Sequence, residues 1–297
     1  MKQNKRVIAL GFFDGVHLGH AALLRRVTQR AEELGAIPSA VTFDSLPTKV
    51  IMGHSVPLLT TADERADLMR QLYGIQDIIV AHFDDALMHM SWQDFVTEYL
   101  MAQNHAIHLV VGHDFHFGYK GEGSPEHLQQ LCAQLGIGCD VIPPVCVDGF
   151  MVSSTYIRNL VAQGNVERAA QFLGHPHFLT DQVRHGKRLG KRLGFPTVNL
   201  HIPHGNVVPA FGVYAAKMWV DGQSIPAATN VGIRPTIDDG DAITVEGTLL
   251  DFDGDLYGKT VRMELYHYLR PERHFESLQA LRTQIMLDAQ QVRAYFT

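Results

Sequence analysis

Val7-Ile-Ala-Leu10 runs directly into Gly11-Phe-Phe-Asp14-Gly15-Val-His17-Leu-Gly19-His20, and this junction indicates the fold of the first half of the chain. A short apolar run, a glycine-rich loop and a longer helical stretch are typical of a strand, a turn and a helix in an α/β protein. Open α/β sheets bind ligands at the carboxyl ends of their strands, where this loop would lie. The junction therefore predicts a parallel sheet together with a binding site.

Further apolar segments continue this pattern at residues 39–43, 77–81, 107–111 and 139–142, with longer helical stretches between them. The starts of three helices are marked by Thr61-Ala-Asp-Glu64 and Ser91-Trp-Gln-Asp94, which resemble capping boxes, and by Ser124-Pro125. This alternation of strands and helices predicts a Rossmann-like domain with a parallel, doubly wound sheet in residues 1–175.

After residue 175 the pattern changes to β-rich segments broken by glycine. Turns at Asp221-Gly222 and Asp253-Gly254 predict two hairpins, the first joining residues 212–220 to 224–231 and the second joining 244–252 to 259–268. Apolar residues then recur at intervals of three and four, as in an amphipathic helix: Leu278, Leu281, Ile285, Ala289, Val292 and Phe296. We expect residues 176–297 to form a small β-barrel with a C-terminal helix, which gives an α/β plus all-β chain.

The composition narrows the class of partner. A chain of 297 residues is long for one core, and its formal net charge of −6 argues against nucleic acid as the main partner, since phosphate neutralisation needs a basic face. No stretch suggests export or membrane insertion, and the odd set of Cys132, Cys139 and Cys146 indicates reduced thiols. We therefore expect a cytoplasmic protein that acts on small molecules. Its oligomeric state cannot be read from the sequence.

The two histidines of the first loop suggest a phosphate site. His17 and His20 are three residues apart at the start of a helix, so both side chains can face one phosphate. Glycines let backbone N–H groups approach such a ligand, and the helix N-terminus favours negative charge. The alternatives are two surface histidines on a glycine-rich turn or a zinc-binding pair, although no third zinc ligand stands at a fitting spacing.

Two later segments carry groups suited to a nucleotide. Gly112-His-Asp114-Phe115 follows a buried strand, and Ser153-Ser154-Thr155-Tyr-Ile-Arg158 opens a helix. Hydroxyls donate hydrogen bonds to phosphate, and an arginine can bind two of its oxygens. Taken alone, the first segment is an ordinary strand end and the second an ordinary helix cap.

In this order and spacing, the three motifs resemble the FAD synthetase half of the bifunctional riboflavin kinase/FAD synthetases, which is an ATP:FMN adenylyltransferase. The resemblance implies catalytic roles for His17 and His20 and places Asp114 and Phe115 beside the nucleotide or flavin. It also implies contacts with the ATP phosphates for Gly11, Asp14, Gly15, Ser154, Thr155 and Arg158. The chain departs from the family pattern at Leu46, His116 and Gly121, where one histidine and two arginines are usual.

A second group of polar residues lies between residues 183 and 199. Its spaced glycines and basic residues suit a loop that binds a triphosphate, although the order of a Walker P-loop is absent. Thr197 and Asn199, two apart on extended chain, project to one face and can offer oxygen atoms to a Mg²⁺-bound nucleotide. A basic hairpin on the surface is the alternative.

Gly194-Phe-Pro196-Thr197-Val-Asn199 resembles the riboflavin kinase motif, and the resemblance continues to the C-terminus. It implies that Glu246 is the general base, and that Thr197 and Asn199 hold Mg²⁺. Asn230 and Arg270 would contact the flavin. The residues implied at ATP are Gly186, Lys187, Gly190, Lys191, Gly194 and Pro196. Thr248 stands where the family has a histidine.

The implied activity is ATP-dependent conversion of riboflavin to FMN and of FMN to FAD. One alternative is a riboflavin kinase with a weakened synthetase half, and another is a non-catalytic flavin or nucleotide sensor. A general base such as Glu246 favours the enzyme, because sensing alone needs no base. An aminoacyl-tRNA-synthetase-like protein would need a basic RNA surface, which the sequence does not show. The more complete set of kinase motifs makes the kinase the stronger of the two activity predictions.

Overall fold

The computed structural model describes residues 5–44, 56–184, 197–235 and 241–297. The chain divides into two compact units, the first comprising residues 1–56 and 60–154 and the second comprising 57–59 and 155–297. Residues 155–175, which the sequence led us to group with the first domain, pack with the second unit. The functional boundary expected between residues 175 and 176 stays a prediction.

A five-stranded parallel sheet forms the centre of the first unit. Its strands are β1 (Arg6–Leu10), β2 (Ile37–Phe43), β3 (Asp77–Ala81), β4 (Ala106–Gly112) and β5 (Gly138–Ile142), in the order β3-β2-β1-β4-β5. All four strand pairs are parallel. The predicted Rossmann-like sheet is confirmed. Val7 to Leu10 of the central strand are all buried, as expected for a strand whose two faces are both covered.

The helices of the first unit are α1 (Leu18–Leu34), α2 (Ala62–Tyr73), α3 (Asp85–His89), α4 (Trp92–Asp94) and α5 (Pro125–Leu135). A π-helical segment, Phe95–Gln103, continues α4, and a short hairpin pairs β6 (Cys146–Val147) with β7 (Phe150–Met151). Thr61 and Glu64 form the predicted reciprocal capping box, while Ser91 and Ser124 cap their helices through their side chains. Local sequence therefore sets these helix starts.

The second unit begins with α6 (Ser154–Ala162), of which Ser154 itself belongs to the first unit, and continues with α7 (Val166–Leu173). Its antiparallel sheet contains β8 (His177–Gln182), β9 (Thr197–His201), β10 (Gly212–Val220), β11 (Gln223–Pro235), β12 (Asp241–Leu249) and β13 (Thr260–Arg270), in the order β8-β13-β10-β11-β12-β9. Arg184, just after β8, bridges to Asn199 in β9. This bridge joins the two edges of the curled sheet, as the predicted barrel requires.

One of the two predicted hairpins is wrong. Asp221-Gly222 joins β10 to β11 as expected. Asp253-Gly254 does not join paired strands, because in the described part of the sheet β12 pairs with β11 and β9, whereas β13 pairs with β10 and β8. The turn belongs to a longer connection between distant strands. A turn dipeptide specifies a local reversal of the chain but leaves the partner strand open.

The helix α8 (Leu278–Phe296) confirms the predicted C-terminal helix. Ala289 and Val292 are buried against Val213, Ala215 and other small residues on the outer face of the sheet. The inner face of the barrel carries its own apolar core around Tyr214, Val231 and Val245. Among the helices of the described residues, none combines the length and apolar character needed to span a bilayer.

Candidate active sites

The loop after β1 is held in an unusual backbone conformation. Phe13 and Val16 have positive φ angles of 58° and 42°, and Gly15 has a φ of 75°. Positive φ is rare for a β-branched residue such as Val16, so the surrounding contacts must stabilise this conformation. The sequence predicted a loop here but gave no sign of strain at Phe13 or Val16.

Three hydrogen bonds supply part of that stabilisation. The Gly15 N–H donates to Thr60 Oγ1 at 3.0 Å, and the Thr60 N–H donates to Asp14 Oδ1 at 3.2 Å. Ser154 Oγ donates to the Asp14 carbonyl oxygen at 3.1 Å. Asp14 and Thr60 are both buried. Thr60, which the sequence analysis did not single out, therefore links the predicted site residues Gly15 and Asp14, and Ser154 binds Asp14 directly.

His17 and His20 stack face to face at the start of α1, with ring centroids 3.6 Å apart and an interplanar angle of 10°. His17 is the N-cap of the helix, and its Nδ1 accepts the His20 N–H at 3.3 Å. Because Nδ1 accepts, the proton of neutral His17 resides on Nε2. A Cβ at Gly19 would lie 3.0 Å from His17 Cε1, so a small residue between the histidines suits the stack.

The charge state of this pair follows from its surroundings. Burial lowers the pKa of His20 well below its usual value, and the neighbouring His17 and Arg65 lower it further. His20 is therefore neutral at physiological pH. An anion at this position would be stabilised by N–H donors and the helix N-terminus rather than by a histidine charge.

Arg65 in α2 is a buried cation that the sequence analysis did not identify. It is only 1% exposed, and its guanidinium lies 4.1 Å from the centre of the Phe12 ring. Nη2 donates to the Phe43 carbonyl at 3.2 Å, whereas Nε and Nη1 have no hydrogen-bond partner within the described ranges. Burial lowers the pKa of Arg65, while Asp14 opposes that shift. The cation therefore interacts electrostatically with both Asp14 and His20.

The other residues predicted for this site occupy the carboxyl edge of the sheet and the start of α6. Gly11 follows β1, and Asp114 follows β4 with an exposed side chain. Phe115 stacks on Phe117 with centroids 5.5 Å apart. On α6, Arg158 Nη2 donates to Thr155 Oγ1 at 3.0 Å.

Of the three departures from the family pattern, His116 is exposed and its Nδ1 lies 3.0 Å from the Asp114 carbonyl oxygen. Gly121 has a φ of 69°, a conformation that favours glycine over arginine. Leu46 lies outside the described residues.

In the second unit, one row of polar residues crosses three neighbouring strands. Glu246 of β12 stands opposite Asn199 of β9 on one side and Asn230 of β11 on the other. Two residues further along, Thr248 stands opposite Thr197. Residues in register on adjacent strands share a face, so the structure brings these predicted kinase residues together.

A cavity of about 270 Å³ lies on this face between the sheet and α8. Thr197, Asn230, Glu246 and Arg270, all predicted from the sequence, contribute to its wall. Asn199 is buried beside it in the same row. Leu281 and Ile285 line the helix side, which explains why the apolar stripe of α8 extends beyond its buried residues.

The cavity also contains acidic residues that the sequence analysis missed. Glu272 Oε1 accepts from Asn230 Nδ2 at 2.7 Å, and Asp288 of α8 forms a bidentate ion pair with Arg270. The sequence gives no sign of this contact, because Arg270 lies at the end of β13 and Asp288 lies on α8.

The basic loop predicted to bind ATP, with Gly186, Lys187, Gly190, Lys191, Gly194 and Pro196, lies outside the described residues.

Comparison with known proteins assigns each half of the chain to a family. Residues 1–156 match the profile of the FAD synthetase family, and residues 173–296 match that of the riboflavin kinase family. A solved structure described as a macrolide-efflux protein from Streptococcus pneumoniae superposes with a TM-score of 0.87 at 28% identity, and the match covers 99% of this chain and 95% of that chain.

Several curated relatives match along almost the whole chain. The bifunctional riboflavin kinase/FMN adenylyltransferase of Pseudomonas fluorescens is 36% identical over 97% of this chain and 92% of its own length. The relative of the same description from Listeria monocytogenes is 34% identical over 98% and 92%, and that from Escherichia coli K12 is 32% identical over 98% and 92%. With both halves matched, the chain belongs to the family of bifunctional riboflavin kinase/FMN adenylyltransferases.

Proposed function

We propose that residues 176–297 phosphorylate riboflavin and that residues 1–175 adenylylate the FMN so formed. The enzyme converts riboflavin and ATP to FMN and ADP, and then FMN and ATP to FAD and pyrophosphate. The observation that carries the residue assignment is the row of Asn199, Glu246 and Asn230 beside one cavity. The two small-molecule reactions also account for the two separate polar sites.

In the kinase reaction, Glu246 accepts the proton of the ribityl 5′-hydroxyl as that oxygen attacks the γ-phosphorus of ATP. The bond from this phosphorus to the β,γ-bridging oxygen then breaks, and ADP leaves. Glu246 is half-buried on a strand with neighbours on both sides, so its carboxylate is held on a rigid element. Positioning and electrostatic stabilisation account for most catalysis of phosphoryl transfer.

The proposal includes Mg²⁺ because Thr197 and Asn199 carry oxygen atoms that can bind this ion. Thr197 offers a hydroxyl oxygen and Asn199 an amide oxygen, two residues apart on β9. Such a set of few oxygen ligands suits Mg²⁺ that is also bound by substrate phosphates. When bound, the ion would neutralise charge that develops on the phosphates. The basic loop at 186–196 would hold the rest of the triphosphate.

Asn230 and Arg270 are assigned to the flavin because both line the cavity that Glu246 faces. The apolar side chains of Phe275, Leu281 and Ile285 provide contact area for an aromatic ring. A heteroaromatic substrate needs apolar contact area for its ring and polar partners at its edges, and the lining of this cavity supplies both.

In the adenylyl transfer, a phosphate oxygen of FMN attacks the α-phosphorus of ATP, and pyrophosphate leaves without a covalent enzyme intermediate. His17 donates a hydrogen bond from Nε2 to the ATP phosphates, and His20 lies beside it. Both are at the start of α1, where the helix N-terminus favours negative charge. Gly11, Asp14 and Gly15 shape the loop. Ser154, Thr155 and Arg158 would contact the triphosphate, and Asp114 and Phe115 the nucleotide or flavin.

Substitution of the general base tests the kinase assignment. Glu246→Gln should lower FMN formation by roughly 10²–10⁴-fold, the usual contribution of a positioned base. Adenylylation of supplied FMN should be retained. FMN formation near the wild-type rate would remove Glu246 from this role. Glu276→Gln, at an exposed position in the same unit, is the control.

A second assay separates the bifunctional enzyme from a kinase with a weakened synthetase half. The wild-type chain is supplied with FMN, ATP and Mg²⁺, and the flavins are separated by chromatography. We expect FAD, and its absence would contradict the adenylyl-transfer assignment. A cytoplasmic location and action on small molecules rather than nucleic acid complete the proposal, and the free thiols of Cys132, Cys139 and Cys146 support a reducing compartment.

A further inference from the structure

Arg270 is held from α8 by a buried carboxylate. Its Nε donates to Asp288 Oδ1 at 2.9 Å and its Nη2 donates to Asp288 Oδ2 at 2.7 Å. Asp288 is only 3% exposed. Two parallel hydrogen bonds of this kind fix both the position and the plane of a guanidinium.

Gln284, one helical turn before Asp288, completes the arrangement. Its Nε2 donates to Asp288 Oδ1 at 2.7 Å, and Gln284 is itself buried. The carboxylate therefore accepts three hydrogen bonds. A buried ion pair is favourable only when its remaining hydrogen-bonding capacity is satisfied, and Gln284 meets part of that requirement.

The guanidinium keeps donors for a ligand. An arginine has five N–H bonds, of which Asp288 takes two and the Pro271 carbonyl oxygen takes a third from Nη1 at 3.0 Å. One N–H remains on each of Nη1 and Nη2. Arg270 and Asp288 both line the cavity that Glu246 lines.

The charge of the pair indicates the kind of group it suits. Asp288 neutralises Arg270, so the pair offers directed N–H donors with little net charge. An uncharged ring with carbonyl acceptors, such as the pyrimidine edge of a flavin, is suited to such donors, whereas a phosphate favours an uncompensated cation.

We propose that Asp288, supported by Gln284, is a positioning residue that orients Arg270 toward the carbonyl edge of the flavin in the kinase site. This inference rests on the proposed flavin-binding role of Arg270. It makes α8 part of the substrate site rather than only a cover for the sheet.

The test is a double-mutant cycle on the full chain, with riboflavin affinity measured by quenching of flavin fluorescence. Asp288→Asn keeps the size of the side chain but directs an amide toward Arg270. It should weaken riboflavin binding roughly tenfold, with KM for ATP unchanged. Arg270→Gln should weaken binding at least as much. Adding Asp288→Asn to Arg270→Gln should then cause no further loss.

Asp251→Asn is the matched control. Asp251 also forms a bidentate ion pair with an arginine of α8, Arg293, at 2.8 and 3.2 Å, but it does so on an exposed surface outside the cavity wall. Riboflavin affinity should not change in this variant. Gln284→Leu, which removes one donor to Asp288, should weaken binding roughly threefold and serves if Asp288→Asn does not fold.

The outcomes separate the inference from the function on which it rests. If Arg270→Gln weakens riboflavin binding but Asp288→Asn and Gln284→Leu do not, the positioning role is overturned and the flavin role of Arg270 stands. If Arg270→Gln leaves riboflavin affinity unchanged, the flavin role fails and the inference fails with it. Additive losses in the double mutant would also overturn it, because Asp288 would then act independently of Arg270.

Discussion

The rings of His17 and His20 lie parallel, 3.6 Å between centroids, while a nitrogen of His17 accepts the backbone N–H of His20. The first histidine thus caps the helix on which the second is carried. Both rings are fixed before any ligand arrives, as expected of a site that stabilises charge by preorganised donors.

Replacement of either histidine should affect one reaction only. We expect His17→Gln or His20→Gln to lower FAD formation from FMN by roughly 10²–10³-fold, the loss typical of removing one transition-state donor. Riboflavin phosphorylation should be unaffected, because the kinase residues lie in the other unit. Chromatographic separation of FMN and FAD measures both activities. His89→Gln, at an exposed position, is the control, and an equal loss of both activities would point to misfolding.

Arg65→Met should separate stability from activity. Methionine removes a buried guanidinium whose Nε and Nη1 have no hydrogen bonds to the described residues, but it also removes the cation that interacts with the buried Asp14. These two effects oppose each other, so the free energy of unfolding should change little. The KM for ATP in FAD formation should increase roughly tenfold, since a positive charge beside Asp14 and His20 is lost.

Urea unfolding and initial rates at varied ATP concentration measure the two effects of Arg65→Met. Arg25→Met serves as the control, because Arg25 also lies over an aromatic ring, that of Tyr73, but is exposed. Clear destabilisation with unchanged KM would show that Arg65 only supports the fold.

The second unit should lose stability in mild acid through His177. Burial lowers the pKa of His177 to about 4, with a further contribution from His175. Because the folded-state pKa is lower than the unfolded value, the unfolded chain binds more protons between these two values. Neutral His177 therefore contributes about 3 kcal/mol to the free energy of unfolding. This contribution is present above about pH 6.5 and is lost as the pH falls toward 4.

His177→Gln should flatten this pH dependence. Unfolding in urea can be followed through Trp219 of the second unit, with Trp92 replaced by phenylalanine so that only one tryptophan reports. His204→Gln, at an exposed position, should retain the wild-type slope. A wild-type slope in His177→Gln would assign the acid sensitivity to other groups.

Features set by neighbouring residues were predictable from the sequence, and features set by distant ones were not. The five strands of the first unit and the Thr61 capping box follow from local patterns. The predicted hairpin at Asp253-Gly254 failed because strand pairing depends on the whole sheet.

The same distinction applies to the two sites. The kinase row was predictable because motif residues fall on adjacent strands in register. Arg65 and Asp288 were not predicted, because the role of each depends on contacts with distant parts of the sequence. Arg65 interacts with Phe12 and Asp14, and Asp288 binds Arg270.

The strand order of the first unit has a consequence for synthesis on the ribosome. β1 lies at the centre of the sheet, and its partner β4 is synthesised about a hundred residues later. Arg6 therefore cannot pair with Ala106 until that part of the chain has been made. Until then the nascent sheet of β1, β2 and β3 exposes one edge of β1, whose residues Val7 to Leu10 are buried in the finished sheet. Unpaired apolar edges promote association with other chains. A pause in translation or a shortage of chaperones should therefore cause more aggregation of this unit if it comes before residue 112 has emerged than if it comes afterwards.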